Sequence, residues 1–597
     1  MRSRKEAGGT QLGRAGASRH AVAGQGGSGN GIGGAGRMRL ALACLVAAVV
    51  AAPLAGCGGG GDSGAASGTA GTSANSPSTP ATPLPAVPAL IPACSGCAVV
   101  DAHTYAGSGT GIWEVSNSGS AAVEVPVSIA GLNGQDVSLV FTNESGTAQV
   151  MPAIALTASR SGSRFPAAMD SLQLQTPAPD IETTRRRVAD FNRDGWALLA
   201  GSKQPLAFSV QSAAPAFSVQ TSSRTWYHVD DSARTATLRK QVTTSDHVTV
   251  NFWVENGEEG AGKIDSTMLD GLAAAYASPG GIYDMLKAVG GPMWGPQSFA
   301  TLIDGNNQPI DIVILNFDHN GRPYDLVGYF YARNNFRKGS EPLSNESISL
   351  YLDAETLYLG GAAGVQQMRM TMAHEGLHMQ NFYRRGVQKG SLYMFDTWLE
   401  EATAMMMEDF ASYAVDPTYN AIRDVRFRDY VSYGAGSYNC NLTVWRPFDS
   451  GVCDSYSVSG AFGGFLDRHL GLGFYANLLG NFSSTDSVAV LDNAIRAVRP
   501  ASGFHDQFAL WSATSAALMP ANGTPADYGY PVWSDGNFVL QEIDPALYEA
   551  RRTLTSVLPA TLQAYASLPV VRQAVRGNYA ETVKVPAGTR LSVVIHD

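Results

Sequence analysis

The sequence predicts an α+β protein in which a mixed β-sheet is followed by a set of helices. Strand-like runs of apolar and β-branched residues lie at 248–254, 310–317, 327–332 and 347–352. After residue 360 the apolar residues recur at helical spacing, with interruptions, to about residue 520. A mixed sheet followed by helices is the arrangement that defines the α+β class.

Composition divides the 597-residue chain into segments, and the length has room for two or three folded domains. We expect an N-terminal extension with an export signal at 1–57, a Gly/Ser/Pro-rich linker at 58–92, a β-rich accessory domain at 93–222, the main α+β domain at 223–540 and a small β module at 541–597. The accessory domain alternates apolar and polar residues between turn signals, which predicts a small β-sandwich. Carbohydrate binding, protein binding and simple spacing all remain open as its role.

The charge of the chain excludes one class of partner. The formal net charge is -10 and the pI is about 5.5. The basic residues near the N-terminus are scattered among Gly and Ser. Because no basic surface is indicated, nucleic acid is not expected as a partner.

An export signal precedes the linker. Arg37 and Arg39 flank the start of an apolar run that is too short to span a bilayer and ends in small residues. The ending Leu54-Ala-Gly-Cys57 resembles the lipobox of bacterial lipoproteins, which implies acylation of Cys57 and a lipid anchor. We therefore expect attachment to the cell envelope, at a bacterial outer membrane, with a plainly cleaved signal peptide and secretion as the alternative. Met38 is an alternative start of the chain.

The remaining cysteines form two close pairs. Cys94 is followed by Cys97, and Cys440 is followed by Cys453. Short even pairings in an exported chain predict disulfides. A redox or metal motif is the alternative for the first pair, but that pair follows a Pro-rich linker rather than a strand-to-helix turn.

The chemistry-bearing motif is His374-Glu375-Gly-Leu-His378, within a predicted helix over 365–382. Side chains at positions i and i+4 lie one turn apart on the same helix face, so the two imidazoles can reach one metal ion. Glu375 is offset from both histidines, which suits a base that holds a metal-bound water rather than a ligand.

A catalytic zinc site needs a third protein ligand and an open position. A second helix is predicted to begin at Asp396-Thr-Trp-Leu-Glu400-Glu401, after a loop that contains Gly386 and Gly390. Two antiparallel helices joined in this way would return a carboxylate of the first turn to the histidines.

These two motifs together resemble the gluzincin peptidases, which are thermolysin-like, and most closely the hyicolysin family. The resemblance covers about residues 223–540 and rests on His374-Glu-Gly-Leu-His-Met-Gln-Asn-Phe382 and Trp398-Leu-Glu-Glu-Ala-Thr-Ala404. It implies that His374, His378 and Glu401 bind Zn²⁺, and that Glu375 is base and then acid. The choice of Glu401 over Glu400 follows the Trp-Leu-x-Glu register of the family.

The resemblance also implies further parts of the site. A strand should line the cleft, for which residues 347–352 are the candidate, and an oxyanion donor should come from a later segment. Tyr456 is the first choice for that donor and His469 the second.

The motif departs from these families at two positions. Ala402 stands where they often carry Gly, and Met405 stands where some relatives place an acidic residue that orients a histidine. The orienting group must therefore lie elsewhere. Glu408 and Asp409 are candidates, although a solvated helix face is the expected place for both.

The predicted function is a zinc-dependent peptidase that hydrolyses peptide bonds with a metal-activated water and Glu375 as the general base. Its expected partners are a protein or peptide substrate and, through the lipid anchor, a membrane. Two alternatives remain open. One is a surface binding protein or adhesin with an idle peptidase-like fold, and the other is a zinc hydrolase that acts on an amide other than a protein backbone.

Overall fold

The computed structural model describes residues 88–156, 179–203, 219–433, 437–446 and 453–597. The predicted export signal, Cys57 and most of the predicted linker lie outside the described residues. Within the described ranges, no helix is both long enough and apolar enough to cross a membrane.

Strands occur throughout the described chain. In chain order they are β1 (Ile91–Pro92), β2 (Val99–Asp101), β3 (Thr104–Tyr105), β4 (Gly111–Asn117), β5 (Val123–Asn143), β6 (Gln149–Val150), β7 (Ser223–Tyr227), β8 (Ala233–Thr243), β9 (Thr249–Glu255), β10 (Ile310–Leu315), β11 (Gly328–Phe330), β12 (Ile348–Asp353), β13 (Trp533–Asp535), β14 (Phe538–Leu540), β15 (Thr561–Leu562), β16 (Ala566–Val585) and β17 (Thr589–His596).

Most of the helices follow β12. The α-helices are α1 (Pro179–Asp190), α2 (Trp196–Ala200), α3 (Ser266–Ala277), α4 (Ile282–Gly290), α5 (Ala354–Leu359), α6 (Gly361–Asn381), α7 (Thr397–Val415), α8 (Arg428–Ser432), α9 (Ser455–Gly480), α10 (Ser487–Val498) and α11 (Phe504–Ala517). Three π-helical turns, Phe191–Gly195, Phe382–Val387 and Ile422–Phe427, continue or precede these helices.

The central sheet has the strand order β11-β12-β10-β9-β8-β7. β10 pairs in parallel with both β9 and β12, whereas β11 pairs antiparallel to β12 at the edge. Every residue of β10 and β12 is buried, which explains their continuous apolar runs. The sheet is mixed and helices follow it, as predicted from the sequence.

The position of the edge strand corrects one expectation. Residues 347–352 were expected to line the cleft, but β12 lies inside the sheet between β10 and β11. The three-residue β11 forms the edge next to the active helix, and its backbone is the part of the sheet that borders the cleft. The strand itself was predicted, within residues 327–332, but its place at the edge beside the cleft was not.

A second sheet joins strands from the two ends of the described chain. β17 lies between β4 and β5, and β16 pairs along the whole of β5. The segments 93–222 and 541–597 were expected as separate β modules, whereas their strands here share one sheet and one apolar core. Register shifts between Arg572 and Asn578 mark bulges opposite the middle of β5, and bulges bend long strands.

Small residues allow the helices under the site to pack closely. A Cβ added at Gly463 of α9 would lie 2.8 Å from Cγ of Met406, and one added at Gly464 would lie 2.8 Å from Cγ2 of Ile422. α9 therefore packs directly on α7. Both predicted disulfides, Cys94–Cys97 and Cys440–Cys453, are present, and the second one ends just before α9.

Candidate metal centre

The centre of the site is a triangle of three donor atoms from two helices. His374 and His378 lie one turn apart on α6, and their Nε2 atoms are 3.1 Å apart. Glu401, in the first turns of α7, places Oε2 at 3.1 Å from Nε2 of His374 and 3.7 Å from that of His378. Within the described ranges, these three residues are the group of histidine, cysteine and carboxylate side chains close enough to hold a metal ion.

The spacing of these atoms fits a tetrahedral ion. Bonds of about 2.0–2.1 Å to a tetrahedral centre place the donor atoms about 3.3–3.4 Å apart. The three observed distances between donor atoms, 3.1, 3.1 and 3.7 Å, lie on both sides of that value. Two imidazoles and one carboxylate form a ligand set typical of a catalytic zinc site, which leaves a fourth position for water or substrate. The residues present therefore fit a metal ion.

Each imidazole is oriented by a second carboxylate. Nδ1 of His374 lies 2.7 Å from Oε1 of Glu408, and Nδ1 of His378 lies 2.9 Å from Oε1 of Glu400. These contacts turn both Nε2 atoms toward the shared point with Glu401. A partner of this kind fixes the tautomer of a ligating histidine and raises its basicity.

The position of Glu408 and Asp409 corrects an expectation from the sequence. Both were expected on a solvated face, but Glu408 is 4% exposed and Asp409 is fully buried. Glu408 lies two helical turns beyond Glu401 on α7, so both carboxylates point to the same side. Asp409 faces away from the site and pairs with the buried Arg468. The seven-residue spacing was the signal that could have identified Glu408.

Further contacts hold the orienting carboxylates. Nη2 of Arg426 lies 3.2 Å from Oε1 of Glu408. Nδ2 of Asn381 donates to Oε2 of Glu400 at 3.1 Å. Both partners come from segments that pack against α7, so the orientation of the histidines depends on the surrounding core.

Electrostatics match a site built for a cation. Burial opposes a charge on His374, but its hydrogen bonds to Glu401 and Glu408 outweigh this and raise its pKa to about 9. Burial likewise opposes a charge on His378, and the carboxylates of Glu401 and Glu400 raise its pKa well above the ordinary value. Burial alone would raise the pKa of Glu401, yet the two histidines lower it far below its usual range.

Glu375 lies on α6 between the two histidines and lines the cleft without joining the donor triangle. Burial raises the pKa of its carboxyl, and the neighbouring histidines and the backbone N–H of Phe330 oppose that rise. A buried carboxylate next to a metal position is suited to accept a proton. The structure therefore places the side chain where the sequence predicts it.

The two candidates for the oxyanion donor have different surroundings. Tyr456, in the first turn of α9, lines the cleft with the triangle, and burial and the charge of Glu401 raise its pKa. The ring of Trp445 meets its ring edge-on at 4.7 Å. His469 lies outside the cleft lining, and its Nε2 is 3.0 Å from the carbonyl oxygen of Gly529. Of the two, only Tyr456 faces the site.

One wall of the cleft was not anticipated. α1 and the turn Phe191–Gly195 line the cleft together with residues of α6 and α7 and with Tyr456. Asn192 of this turn donates from Nδ2 to the carbonyl oxygen of Phe330 at 2.9 Å and accepts from the N–H of Ala332 at 2.8 Å. These residues belong to the predicted accessory domain, and nothing in their sequence indicates a place at the site.

Parts of the chain are similar to known proteins. Residues 92–156 match a family described as a domain of unknown function (DUF8571). Among curated proteins, no similar sequence was found. One similar solved structure is a mutant of a two-domain M1 zinc metallopeptidase bound to L-arginine, with 11% identity and a TM-score of 0.26. The alignment covers 49% of this chain and 54% of that one, so this chain spans about half of that structure, and the likeness is too weak to establish a shared fold.

The match that identifies the chain covers more than half of it. Residues 230–596 match the family model described as Peptidase M30. This range contains α6, α7 and α9, with the donor triangle, Glu375 and Tyr456. The chain therefore belongs to the peptidase M30 family, the hyicolysin family.

Proposed function

We propose that this protein is a metallopeptidase that binds Zn²⁺ through His374, His378 and Glu401 and hydrolyses peptide bonds with Glu375 as the general base. The observation that carries the proposal is the triangle of Nε2, Nε2 and Oε2 atoms, with both Nδ1 atoms held by carboxylates. The pairing of one helix that bears two histidines with a second that returns a glutamate is the thermolysin-like, gluzincin arrangement. A bound zinc ion would polarise a substrate carbonyl and make its water acidic.

The roles of the protein groups follow from their places. Glu375 accepts a proton from the attacking water and then donates it to the leaving amine, a task that its raised pKa favours. The Tyr456 hydroxyl, which remains protonated because burial raises its pKa, donates to the oxyanion. The edge strand β11 offers backbone groups beside which an extended peptide can lie.

Both imidazoles are held by carboxylates, and these carboxylates are held in turn by Arg426 and Asn381. This arrangement favours an active enzyme over an idle scaffold. Holding a carboxylate against each of the two histidines is of no use to a protein that only binds at its surface. The substrate class implied by the family is protein or peptide, and a non-protein amide would use the same chemistry.

A direct test uses the full chain with Cys57→Ser, which cannot be acylated at that position. Bound zinc is measured by elemental analysis, and casein cleavage is compared with that of a Glu375→Gln variant. We expect about one zinc per chain in both proteins and cleavage only when Glu375 is present. A folded protein without zinc would overturn the proposal, and zinc with no cleavage of any peptide would leave the site but remove the peptidase function.

We also propose that acylation of Cys57 holds the protein at a membrane of the cell envelope. The Leu54-Ala-Gly-Cys57 motif after a short apolar run supports this. Metabolic labelling with a palmitate analogue should mark the natural chain and not the Cys57→Ser variant. Equal labelling of both would place the acyl group elsewhere, and no labelling of either would favour plain secretion.

A further inference from the structure

The wall formed by α1 and the turn after it precedes residues 230–596, which match the peptidase family. It is nevertheless fixed to the catalytic domain. Trp196, directly after the turn, is buried and packs edge-on against Phe299 and Phe382, with ring centroids 5.6 and 5.2 Å away. The Asn192 carboxamide bonds the backbone next to β11 at two points. These contacts fix the position of α1 and its side chains relative to the metal centre.

Arg185 of α1 is the side chain of interest on this wall. It lines the cleft, and its Nη2 donates to the backbone carbonyl oxygen of Asp325 at 3.0 Å. Among the described residues, no carboxylate forms an ion pair with its guanidinium within 4.0 Å. By contrast, the cleft-lining Arg193 pairs with Asp194 at 2.7 Å. The carbonyl contact positions the guanidinium without neutralising its charge.

The surroundings of Arg185 indicate what it can bind. Arg185 and Glu182 both act electrostatically on the hydroxyl of Tyr456, so this part of α1 faces the catalytic side of the cleft. The neighbouring cleft residues Val188 and Leu326 are apolar and buried. A guanidinium beside apolar surface binds a planar carboxylate well, because two parallel N–H···O bonds form where water competes little.

We infer that Arg185 binds a carboxylate of the substrate and so sets a preference for acidic peptides. This inference rests on the proposed peptidase function. The carboxylate has two possible sources, an Asp or Glu side chain near the scissile bond or the free C-terminus of a short peptide. The guanidinium of Arg185 can bind either of these two carboxylates.

Matched fluorogenic peptides test the inference on the zinc-loaded full chain. A cleaved parent peptide is made with Glu or Gln at each position around the scissile bond, and with a free or an amidated C-terminus. We expect at least one acid/neutral pair to differ about tenfold or more in kcat/KM. The position of that pair tells a side-chain carboxylate from a C-terminal one.

Variants assign the preference to Arg185. Arg185→Met should bring the ratio for that pair to about 1 while the neutral peptide is still cleaved. Arg186→Met removes the same charge from an exposed neighbour on α1 and should keep the ratio. Equal rates for every pair in the natural chain, or an unchanged ratio in Arg185→Met, would overturn the inference.

A binding experiment separates this inference from the peptidase function itself. The same peptides, labelled with fluorescein, are titrated onto the Glu375→Gln variant and followed by fluorescence anisotropy. If the natural chain cleaves no peptide, the proposed function fails, and acid/neutral pairs of an uncleaved peptide are titrated instead. Tighter binding of the acidic member that is lost in Glu375→Gln/Arg185→Met then still supports the role of Arg185. Equal Kd values for acidic and neutral peptides would overturn it whether or not cleavage occurs.

Discussion

Oε1 of Glu408 lies 2.7 Å from Nδ1 of His374, and this contact determines which nitrogen of the imidazole faces the metal position. Glu408→Gln keeps the size of the side chain but removes the charge that supports the donated hydrogen bond. We expect zinc affinity to fall about 10- to 100-fold. Competition with a chromophoric chelator measures it, and Glu542→Gln, at an exposed position, is the control. Unchanged affinity would mean that the contact does not orient the ligand.

Replacement of Tyr456 by Phe separates binding from chemistry. A donor that acts on the oxyanion contributes mainly in the transition state, so kcat should fall about 100- to 1000-fold with little change in KM. Zinc content should stay the same. Tyr413→Phe, at an exposed position on α7, serves as the control. A change confined to KM would assign Tyr456 to substrate binding instead.

The disulfide Cys440–Cys453 closes a loop with a sequence separation of 13 just before α9. Replacing both cysteines by Ser should destabilise the protein by about 2–4 kcal/mol, because the unfolded chain gains freedom. Urea unfolding measures the difference. The Cys94→Ser/Cys97→Ser variant, with a separation of only 3, should lose less. An equal loss in both variants would contradict the loop-length explanation.

Asp454, the N-cap of α9, makes stability depend on pH. Burial raises the pKa of its carboxyl to about 6, so between about pH 4 and 6 the folded protein holds a proton that the unfolded chain releases. The free energy of unfolding should therefore fall as the pH rises through this range. Asp454→Asn cannot ionise and should remove a slope of up to about 1.4 kcal/mol per pH unit.

The comparison is made by urea unfolding of both proteins in a chelator, so that zinc loading does not vary with pH. Only the difference in slope matters, because the substitution also alters the cap itself. Parallel curves for the natural chain and the variant would show that another group titrates in this range.

Local patterns in the sequence were enough to predict the centre of the site. A helix is enough to bring His374 and His378 onto one face. A second helix that runs back beside it is enough to bring Glu401 to them. The supporting groups were harder. Only the seven-residue spacing from Glu401 could have indicated Glu408, and Arg426 reaches Glu408 through tertiary packing that no local pattern encodes. The same reason explains why Arg185, from outside the family-matched region, was not expected in the cleft.

The order of strands in the main fold was likewise only partly predictable. Apolar and β-branched runs indicated β10, β11 and β12 as strands, but no pattern showed that β11 takes the edge position. The shared sheet of β4, β5 and β17 joins residues more than 400 positions apart, as in the pairing of Val593 with Trp113. Pairings between strands so far apart in the sequence cannot be predicted from its composition.

This shared sheet has a consequence for how the protein is made. Strand β17 leaves the ribosome more than 400 residues after β4 and β5, yet it pairs with β4 on one side and β5 on the other. During most of synthesis these two early strands have no β17 between them and expose hydrogen-bonding edges. Folding from the N-terminus can therefore complete this sheet only after residues 589–596 have been synthesised, so we expect the emerging chain to depend on chaperones until then.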